Sequence, residues 1–122
     1  MIKPYYFTIA GKVQPKERPR KGRGGHFYTP QRTRDYEEKV RLRFRELYPM
    51  LNDKEHRWKL EVWTNKEGVT VRATPIGKNE PKYTGADHDN ISKIISDALQ
   101  GLIFHNDNQV TEAHIYLENQ KE

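Results

Sequence analysis

A helix start lies in the stretch Asp87-His88-Asp89-Asn90-Ile91-Ser92-Lys93, which continues to Asp97-Ala98-Leu99. Asp89 or Asn90 is predicted to cap this helix, because such side chains accept hydrogen bonds from the free N–H groups of a first turn. The helix is expected to run to about residue 102. Asp89, Lys93 and Asp97 fall on one side of it, four residues apart each time. The opposite, buried stripe comprises Ile91, Ile94, Ile95, Ala98, Leu99 and Leu102.

The rest of the chain arranges strands and loops around a second helix. Thr29-Pro30 predicts the start of that helix, with a hydroxyl cap and a proline in the first turn. Its apolar face is formed by Tyr36, Val40, Phe44, Leu47 and Tyr48, and Pro49 ends it. The other predicted elements are a strand over 5–13, a loop over about 14–28, a hairpin of strands 58–64 and 69–74, a loop over 75–86 and a strand over 109–117. This order predicts one α+β domain over residues 1–122.

The composition predicts a small soluble protein of the cytoplasm. With 122 residues the chain can bury one core of modest size, although only 34% of them are hydrophobic and 32% are charged. Small chains of this kind often dimerise. The absence of cysteine excludes disulfides and thiolate metal sites. No apolar run reaches membrane-spanning length, so no membrane partner is expected.

The net charge of +5 is unevenly distributed and indicates a polyanionic partner. Residues 1–57 carry 15 Lys and Arg against 7 Asp and Glu, whereas residues 58–122 carry 7 against 10. The loop over 14–28 is too rich in proline and glycine for a helix or a central strand. Its basic residues are predicted to bind nucleic-acid phosphates, unless the loop is merely solvated and binds nothing. These residues are Lys16, Arg18, Arg20, Lys21 and Arg23.

The acidic residues between positions 87 and 107 are candidates for a metal site. Asp87 and Asp89 project to the same face of an extended segment, and Asp107 follows the helix that they precede. Carboxylates without sulfur ligands favour Mg²⁺ or Mn²⁺, and such an ion can activate water against a phosphodiester. Lys93 would then neutralise the substrate phosphate. The alternative is that Asp89 only caps the helix and pairs with Lys93 as an ordinary i, i+4 ion pair.

Two other kinds of metal site are excluded by spacing. In an EF-hand loop counted from Asp87, the ligand at the fifth position would be Ile91, the turn glycine would be Ser92 and the closing glutamate would be Ala98. Zinc is not favoured either, because the histidines follow no recognised ligand spacing. They are His26, His56, His88, His105 and His114.

Over most of its length the chain resembles the RusA family of Holliday junction resolvases. The resemblance is sharpest from Asp87 to Lys93, and it continues through Asp97-Ala98-Leu99 to Asn106-Asp107-Asn108-Gln109-Val110. Arg18-Pro19-Arg20 and Tyr28-Thr29-Pro30 are also family-like. The family is commonly aliphatic where this chain has His88, and it commonly has two aspartates where this chain has Asn106-Asp107. The loss of one charge at Asn106 bears on metal affinity and on the choice of ion, although its amide can still coordinate or hydrogen-bond.

The resemblance implies a homodimeric, Mg²⁺-dependent endodeoxyribonuclease with a mixed sheet and two main helices packed on it. Such enzymes resolve four-way DNA junctions by paired symmetric nicks in recombination and repair, and many act in bacteria or in phage-infected cells. Carried over by position, Asp87, Asp89 and Asp107 are the metal ligands, and Lys93 is the catalytic lysine. Asp97, Asn90 and Asn106 are expected to support them. A dimer also follows from the approximate two-fold symmetry of a junction.

A different class of protein also fits part of the pattern. A non-catalytic DNA-binding or architectural protein would use the basic loop in the same way, and its aspartates would only cap a helix. It would bind junction or duplex with steep salt dependence and without any metal requirement. A phosphatase or nucleotide hydrolase is disfavoured, because the chain has no glycine-rich loop of the Walker type.

Overall fold

The computed structural model describes residues 3–118 and forms a mixed sheet with two helices packed on it. The strands and helices are β1 (Tyr5–Ala10), β2 (Arg20–Lys21), β3 (Phe27–Tyr28), α1 (Gln31–Leu47), β4 (His56–Thr64), β5 (Gly68–Lys78), α2 (Asn90–Leu99) and β6 (Val110–Leu117). The main sheet has the strand order β1-β5-β4-β6. The α+β class, the mixed sheet and the two main helices are therefore confirmed.

The predicted hairpin forms the centre of the sheet. β4 and β5 pair antiparallel, with Val62 opposite Val71. In the turn, the Asn65 side chain accepts hydrogen bonds from the N–H groups of Glu67 and Gly68 at 2.8 and 3.0 Å. This local bonding closes the hairpin turn, and Gly11 bonds to it from β1's end through the Glu67 carbonyl.

β6 returns parallel to β4, and this connection places α2 against the sheet. A parallel return needs a crossover, and α2 supplies it while contacting β4, β6 and α1. One face of the sheet and the inner faces of both helices thus form a single core. Its largest fully buried side chains are Trp58, Phe44, Phe104, Ile9, Leu60, Ile94, Ile95 and Leu99.

The predicted loop over 75–86 begins too early, because β5 continues to Lys78. Pro75 lies inside the strand, opposite Trp58, where the register with β4 shifts at a bulge. On its other side β5 pairs with β1 only as far as Ala73. Within residues 3–118 β5 pairs only with β4 beyond Ala73, so one side of the strand makes no ladder hydrogen bonds there, and a residue without an N–H can occupy the position.

The basic segment 14–28 is not a featureless loop. Arg20 and Lys21 pair antiparallel with Tyr28 and Phe27 in a two-stranded ribbon, with a short 3₁₀ turn between the strands. Gly24 and Gly25, in that turn, have φ of +81°, which glycine adopts without strain. As predicted, none of this segment is a helix or a central strand.

Both helices differ from the prediction at their ends. The residue before α1 is Pro30, so the Thr29 hydroxyl does not cap it, and the N–H groups of Thr33 and Arg34 donate to the Pro30 carbonyl. At the other end Leu47 is 45% exposed and lies outside the apolar face, whereas Tyr48 packs against the core. α2 ends at Leu99 rather than near residue 102, since Gly101 at φ +86° turns the chain away. No helix of residues 3–118 is long and apolar enough to cross a membrane.

Candidate active site

Asp89 holds the start of α2. Its Oδ1 accepts hydrogen bonds from the N–H groups of Ile91 and Ser92 at 2.9 and 2.8 Å, so the predicted cap is confirmed. The ion pair of Asp89 with Lys93 that the alternative interpretation included does not occur, because the Lys93 side chain turns towards Asp97 and Asp107 instead. Asp89 is exposed, which leaves its carboxylate open to solvent while it caps the helix.

Asp107 is positioned by a turn that is fastened to the sheet. Asn106 accepts a hydrogen bond from the Asn108 N–H, and the Gln109 side chain accepts one from the Asn106 N–H. The buried Gln109 amide also donates to the carbonyl oxygens of Asp53 and His56 at 2.9 Å each. The turn that carries Asp107 is therefore bonded to the start of β4, which orients its carboxylate towards α2.

Lys93 bridges two carboxylates. Its ammonium donates to Asp107 Oδ2 at 2.7 Å and lies 3.2 Å from Asp97 Oδ1. Burial alone would lower the pKa of Lys93, but the hydrogen bond to Asp107 and the charge of Asp97 outweigh it and raise the pKa. For Asp107, burial would raise the pKa of the carboxyl, yet the bond to Lys93 holds it below its ordinary value. Both groups are charged at neutral pH.

Asp87 approaches the same region along the segment that enters α2. The N–H of Ala86 donates to the Val110 carbonyl at 2.8 Å. Gly85 lies so close to Asn108 that an added Cβ would be 3.2 Å from the Asn108 Cα. The backbone before Asp87 thus lies beside the turn that contains Asp107, although the Asp87 side chain itself is exposed.

The structure does not assemble the three aspartates into a metal-binding cluster. Among residues 3–118, no three His, Cys, Asp or Glu side chains are so arranged that they could hold an ion. The chemistry of the donors nevertheless suits a hard divalent cation, because Asp87, Asp89 and Asp107 offer carboxylate oxygens only. Asp107 already bonds to a cation, the Lys93 ammonium. An ion at this site would therefore compete with Lys93 for Asp107.

His88 lies within this group of charges. Its Nδ1 is 3.0 Å from the Ser92 hydroxyl, while its Nε2 is buried and has no hydrogen-bond partner in the described structure. Burial and the nearby charge of Lys93 lower the pKa of the imidazole, against the opposing charges of Asp107, Asp97 and Asp89.

The five predicted phosphate-binding residues are divided by the fold. Arg18, Arg20, Lys21 and Arg23 are exposed. Lys16 is not: its ammonium lies 3.1 Å from both Glu37 and Asp97. A groove of about 550 Å³ at the base of the ribbon is lined by residues 14–20 and by Asn90, so the basic segment adjoins the start of α2. Arg18 and Arg20 therefore line a groove that reaches Asn90, the first residue of α2 and the neighbour of Asp89.

Two acidic residues anchor the basic segment, and no local sequence pattern points to either of them. Glu17 accepts hydrogen bonds from the Arg32 guanidinium and the Thr33 hydroxyl, at 2.7 and 2.9 Å. The bond to Arg32 is the main reason that the pKa of Glu17 falls to about 2. Glu37 of α1 binds Lys16. Both contacts join residues far apart in the chain, which composition and periodicity do not reveal.

Comparison with known families identifies the group to which the chain belongs. Residues 10–122 match the family model described as endodeoxyribonuclease RusA. None of the curated proteins matches the chain. Because the family model covers nearly the whole sequence, the chain belongs to the RusA family, whose members are endodeoxyribonucleases, and the resemblance noted from the sequence is confirmed.

Proposed function

We propose that this member of the RusA family is a Mg²⁺-dependent endonuclease that resolves four-way DNA junctions by paired symmetric nicks. Family membership implies a nuclease of the Holliday junction resolvase type. The observation that carries the more specific proposal is the contact of Lys93 with Asp107, beside a capped helix start and an exposed basic ribbon. Mn²⁺ is an alternative ion, since it accepts the same carboxylate ligands.

The proposed metal ligands are Asp87, Asp89 and Asp107. When bound there, a divalent ion activates water and offsets negative charge on the scissile phosphate. Asp89 retains its Oδ1 bonds to the first turn of α2, which keeps its carboxylate in a fixed orientation. Lys93 exchanges Asp107 for the phosphate while it stays paired with Asp97. Asn90 and Asn106 support this arrangement at the two ends of the site.

Lys93 acts in this proposal as a positive charge rather than as a base. Its raised pKa keeps the ammonium protonated, so it stabilises the charge that builds up on the phosphate during attack. A fixed charge near the reacting phosphate is effective because it needs no reorganisation during the reaction. The DNA backbone is held nearby by the exposed basic residues Arg18, Arg20, Lys21 and Arg23. The sequence predicts the same role for Lys16.

Cleavage of a synthetic four-way junction tests the proposal. Wild-type protein should give paired nicks with Mg²⁺ and none with a chelator. Asp87→Asn and Asp107→Asn should still bind the junction yet lose cleavage, because each removes a charged ligand without removing basic surface. Glu67→Gln, in the exposed β4–β5 turn, is a matched control for loss of one carboxylate charge and should cut normally. Full activity of either aspartate variant would overturn the assignment.

A non-catalytic DNA-binding protein is the second candidate, and two observations favour it. Asp89 is fully accounted for as a helix cap, and the described side chains contain no ready-made group of three metal ligands. This candidate predicts junction binding without divalent metal and no heat of binding when Mg²⁺ or Mn²⁺ is titrated. Calorimetry on the free protein therefore separates the two functions before any cleavage assay.

The biological role proposed here is junction processing in DNA recombination and repair, in bacteria or in phage-infected cells. A junction offers two strands for incision that are related by an approximate two-fold axis. We infer that two copies of the chain act together, one on each strand.

A further inference from the structure

Lys16 differs from the other basic residues of its segment because it lies along α2. Its N–H donates to the Asn90 carbonyl at 2.7 Å, and its ammonium reaches Asp97 Oδ2 and Glu37 Oε2 at 3.1 Å each. Asn90 and Asp97 are separated by seven residues, about 10 Å of helix. The Lys16 side chain therefore follows the helix axis, and it is only 22% exposed. A DNA backbone has little access to it.

Asp97 connects Lys16 to Lys93. Its Oδ2 faces Lys16 and its Oδ1 faces Lys93, at 3.1 and 3.2 Å. Lys93 continues the series to Asp107 at 2.7 Å. Positive and negative groups thus alternate from the base of the basic segment to the turn before β6. All of these side chains except Lys93 are 22% exposed or less, so solvent screens their interactions only in part.

We propose that Lys16 and Asp97 are positioning residues for Lys93. The inference rests on the proposed nuclease function. When Asp107 is occupied by a cation, Asp97 is the partner that keeps the Lys93 ammonium beside the reacting phosphate. Lys16 holds the other oxygen of Asp97, so that Asp97 does not turn towards that cation. Lys16 then belongs to the catalytic side of the molecule, and not to the phosphate-binding surface that its sequence position suggests.

The two roles of Lys16 predict opposite kinetic effects. A residue that binds DNA phosphate changes affinity and its salt dependence when it is removed. A residue that positions Lys93 changes the rate of cleavage in the bound complex and leaves affinity unaltered. The position of Lys16 between Asp97 and Glu37 favours the second outcome, since both its ammonium contacts are satisfied within the protein.

Single-turnover cleavage of a junction, with protein in excess, measures the effect on rate. Lys16→Met and Asp97→Asn should each slow cleavage by about 10- to 100-fold, the range found when groups that orient active-site residues are removed. The double variant should be no slower than Asp97→Asn alone, because Lys16 acts through Asp97. Lys16→Arg keeps the charge and should recover part of the rate. Melting temperatures establish that every variant is folded.

The affinity for a junction in the absence of metal distinguishes a positioning role of Lys16 from a phosphate-binding role. Lys16→Met should leave Kd within about twofold of wild type, whereas the same change at exposed Lys21 should weaken binding by the loss of one phosphate contact. Lys66→Met, in the β4–β5 turn, should alter neither binding nor rate. If Lys16→Met weakens binding like Lys21→Met and leaves the cleavage rate unchanged, the positioning role is wrong.

NMR signals of the lysine ammonium groups in the ¹⁵N-labelled, metal-free protein test the inference without a cleavage assay. Ammonium protons held by carboxylates exchange slowly with water, so Lys16 and Lys93 should give sharp correlations, assigned by their methionine variants. Asp97→Asn should shift both signals, because each ammonium loses one of its two carboxylate partners, and Lys66→Met should shift neither. Unchanged signals in Asp97→Asn would overturn this inference alone. A wild-type protein that cuts no junction would overturn the proposed function.

Discussion

At the scale of single residues, two buried or half-buried charges have clear physical roles. Lys93 is held by Asp97 and Asp107. Asp53 is fixed at the start of β4, where its carboxylate accepts hydrogen bonds from the Trp58 indole and from the His56 N–H, at 2.9 and 3.0 Å. Lys93 belongs to the candidate site, and Asp53 stabilises the fold that supports it.

Replacement of Lys93 by methionine should abolish cleavage and strengthen metal binding. The loss of rate should be about 100- to 1,000-fold, as for other fixed groups that stabilise transition-state charge. Metal should bind more tightly, because the ammonium no longer competes for Asp107. Calorimetric titration of Mg²⁺ or Mn²⁺ into both proteins measures the second effect. Weaker metal binding in Lys93→Met would show that the ion does not use Asp107.

Asp53→Asn should destabilise the protein by about 2 kcal/mol at pH 7, because an amide accepts fewer hydrogen bonds from the buried donors. Burial would raise the pKa of Asp53, but the bonds from His56 and Trp58 outweigh it and lower the pKa. Stability from a lowered carboxyl pKa is present above its ordinary value of 3.8 and is lost as pH falls through the folded value. Urea unfolding should therefore show a smaller difference between variant and wild type at pH 3 than at pH 7.

At the scale of elements, the start of α2 combines a structural and a chemical task. The same carboxylate that caps the helix, Asp89, is a proposed metal ligand, and the exposed Asp87 precedes it on an extended segment. The basic ribbon is the second functional element. It is fastened at its base by Glu17 to α1 and by Lys16 to α2, while Arg18, Arg20, Lys21 and Arg23 remain exposed.

Asp89→Asn separates the two tasks of the helix start. Asparagine caps a helix about as well as aspartate, so the free energy of unfolding should change by less than about 0.5 kcal/mol. Cleavage should nevertheless be lost, because the amide oxygen carries no charge to bind the ion. Chemical unfolding and junction cleavage measure the two effects on one sample. A stable variant with full activity would reduce Asp89 to a cap.

Removal of two arginines from the basic segment 14–28 should weaken DNA binding without destabilising the fold. Arg18→Ala combined with Arg20→Ala should flatten the slope of log K against log salt by about 2, one for each lost phosphate contact. Arg34→Ala, on the exposed surface of α1, is a control for loss of one positive charge. Unchanged affinity and slope in the double variant would mean that the ribbon does not bind DNA.

At the scale of the whole molecule, the two edges of the main sheet differ. At the β1 edge, carbonyl oxygens of the strand accept hydrogen bonds from side chains of α1 and of the residue after it. The donors are Lys39, Arg43 and Tyr48, and the acceptors are Ala10, Thr8 and Tyr6 respectively. Within residues 3–118, β6 pairs only with β4. The outer face beside it carries a stacked Trp63 and Tyr116, with ring centroids 5.2 Å apart.

We expect two copies of the chain to act on one junction. Light scattering should give twice the chain mass of 14.5 kDa. Mixed dimers of wild-type and Asp107→Asn chains should nick only one of two opposed strands, because each active site serves its own strand. A monomeric protein that still makes paired nicks in a single binding event would contradict this expectation.

Features that depend only on residues close together in the chain could be predicted from the sequence. The amphipathic stripe and cap of α2, the hairpin turn at Asn65 and the alternation of Phe7 and Ile9 are local patterns, and each is present in the structure. The family could also be identified from the spacing between Asp87, Lys93 and Asp107, and the match over residues 10–122 confirms it. Spacing does not reveal partners, however: it offers Asp89 as an i, i+4 partner of Lys93, whereas the structure pairs Lys93 with Asp97 and Asp107.

Tertiary structure decided which charges meet. The bond from Lys93 to Asp107 requires the crossover through α2 and the fastening of the following turn by Gln109. Lys16 points away from the exposed basic surface because α1 and α2 pack together and bring Glu37 and Asp97 to its ammonium. Local sequence fixes backbone preferences within a few residues. The energy of an ion pair depends on distance and solvent exposure, which exist only once distant segments have packed.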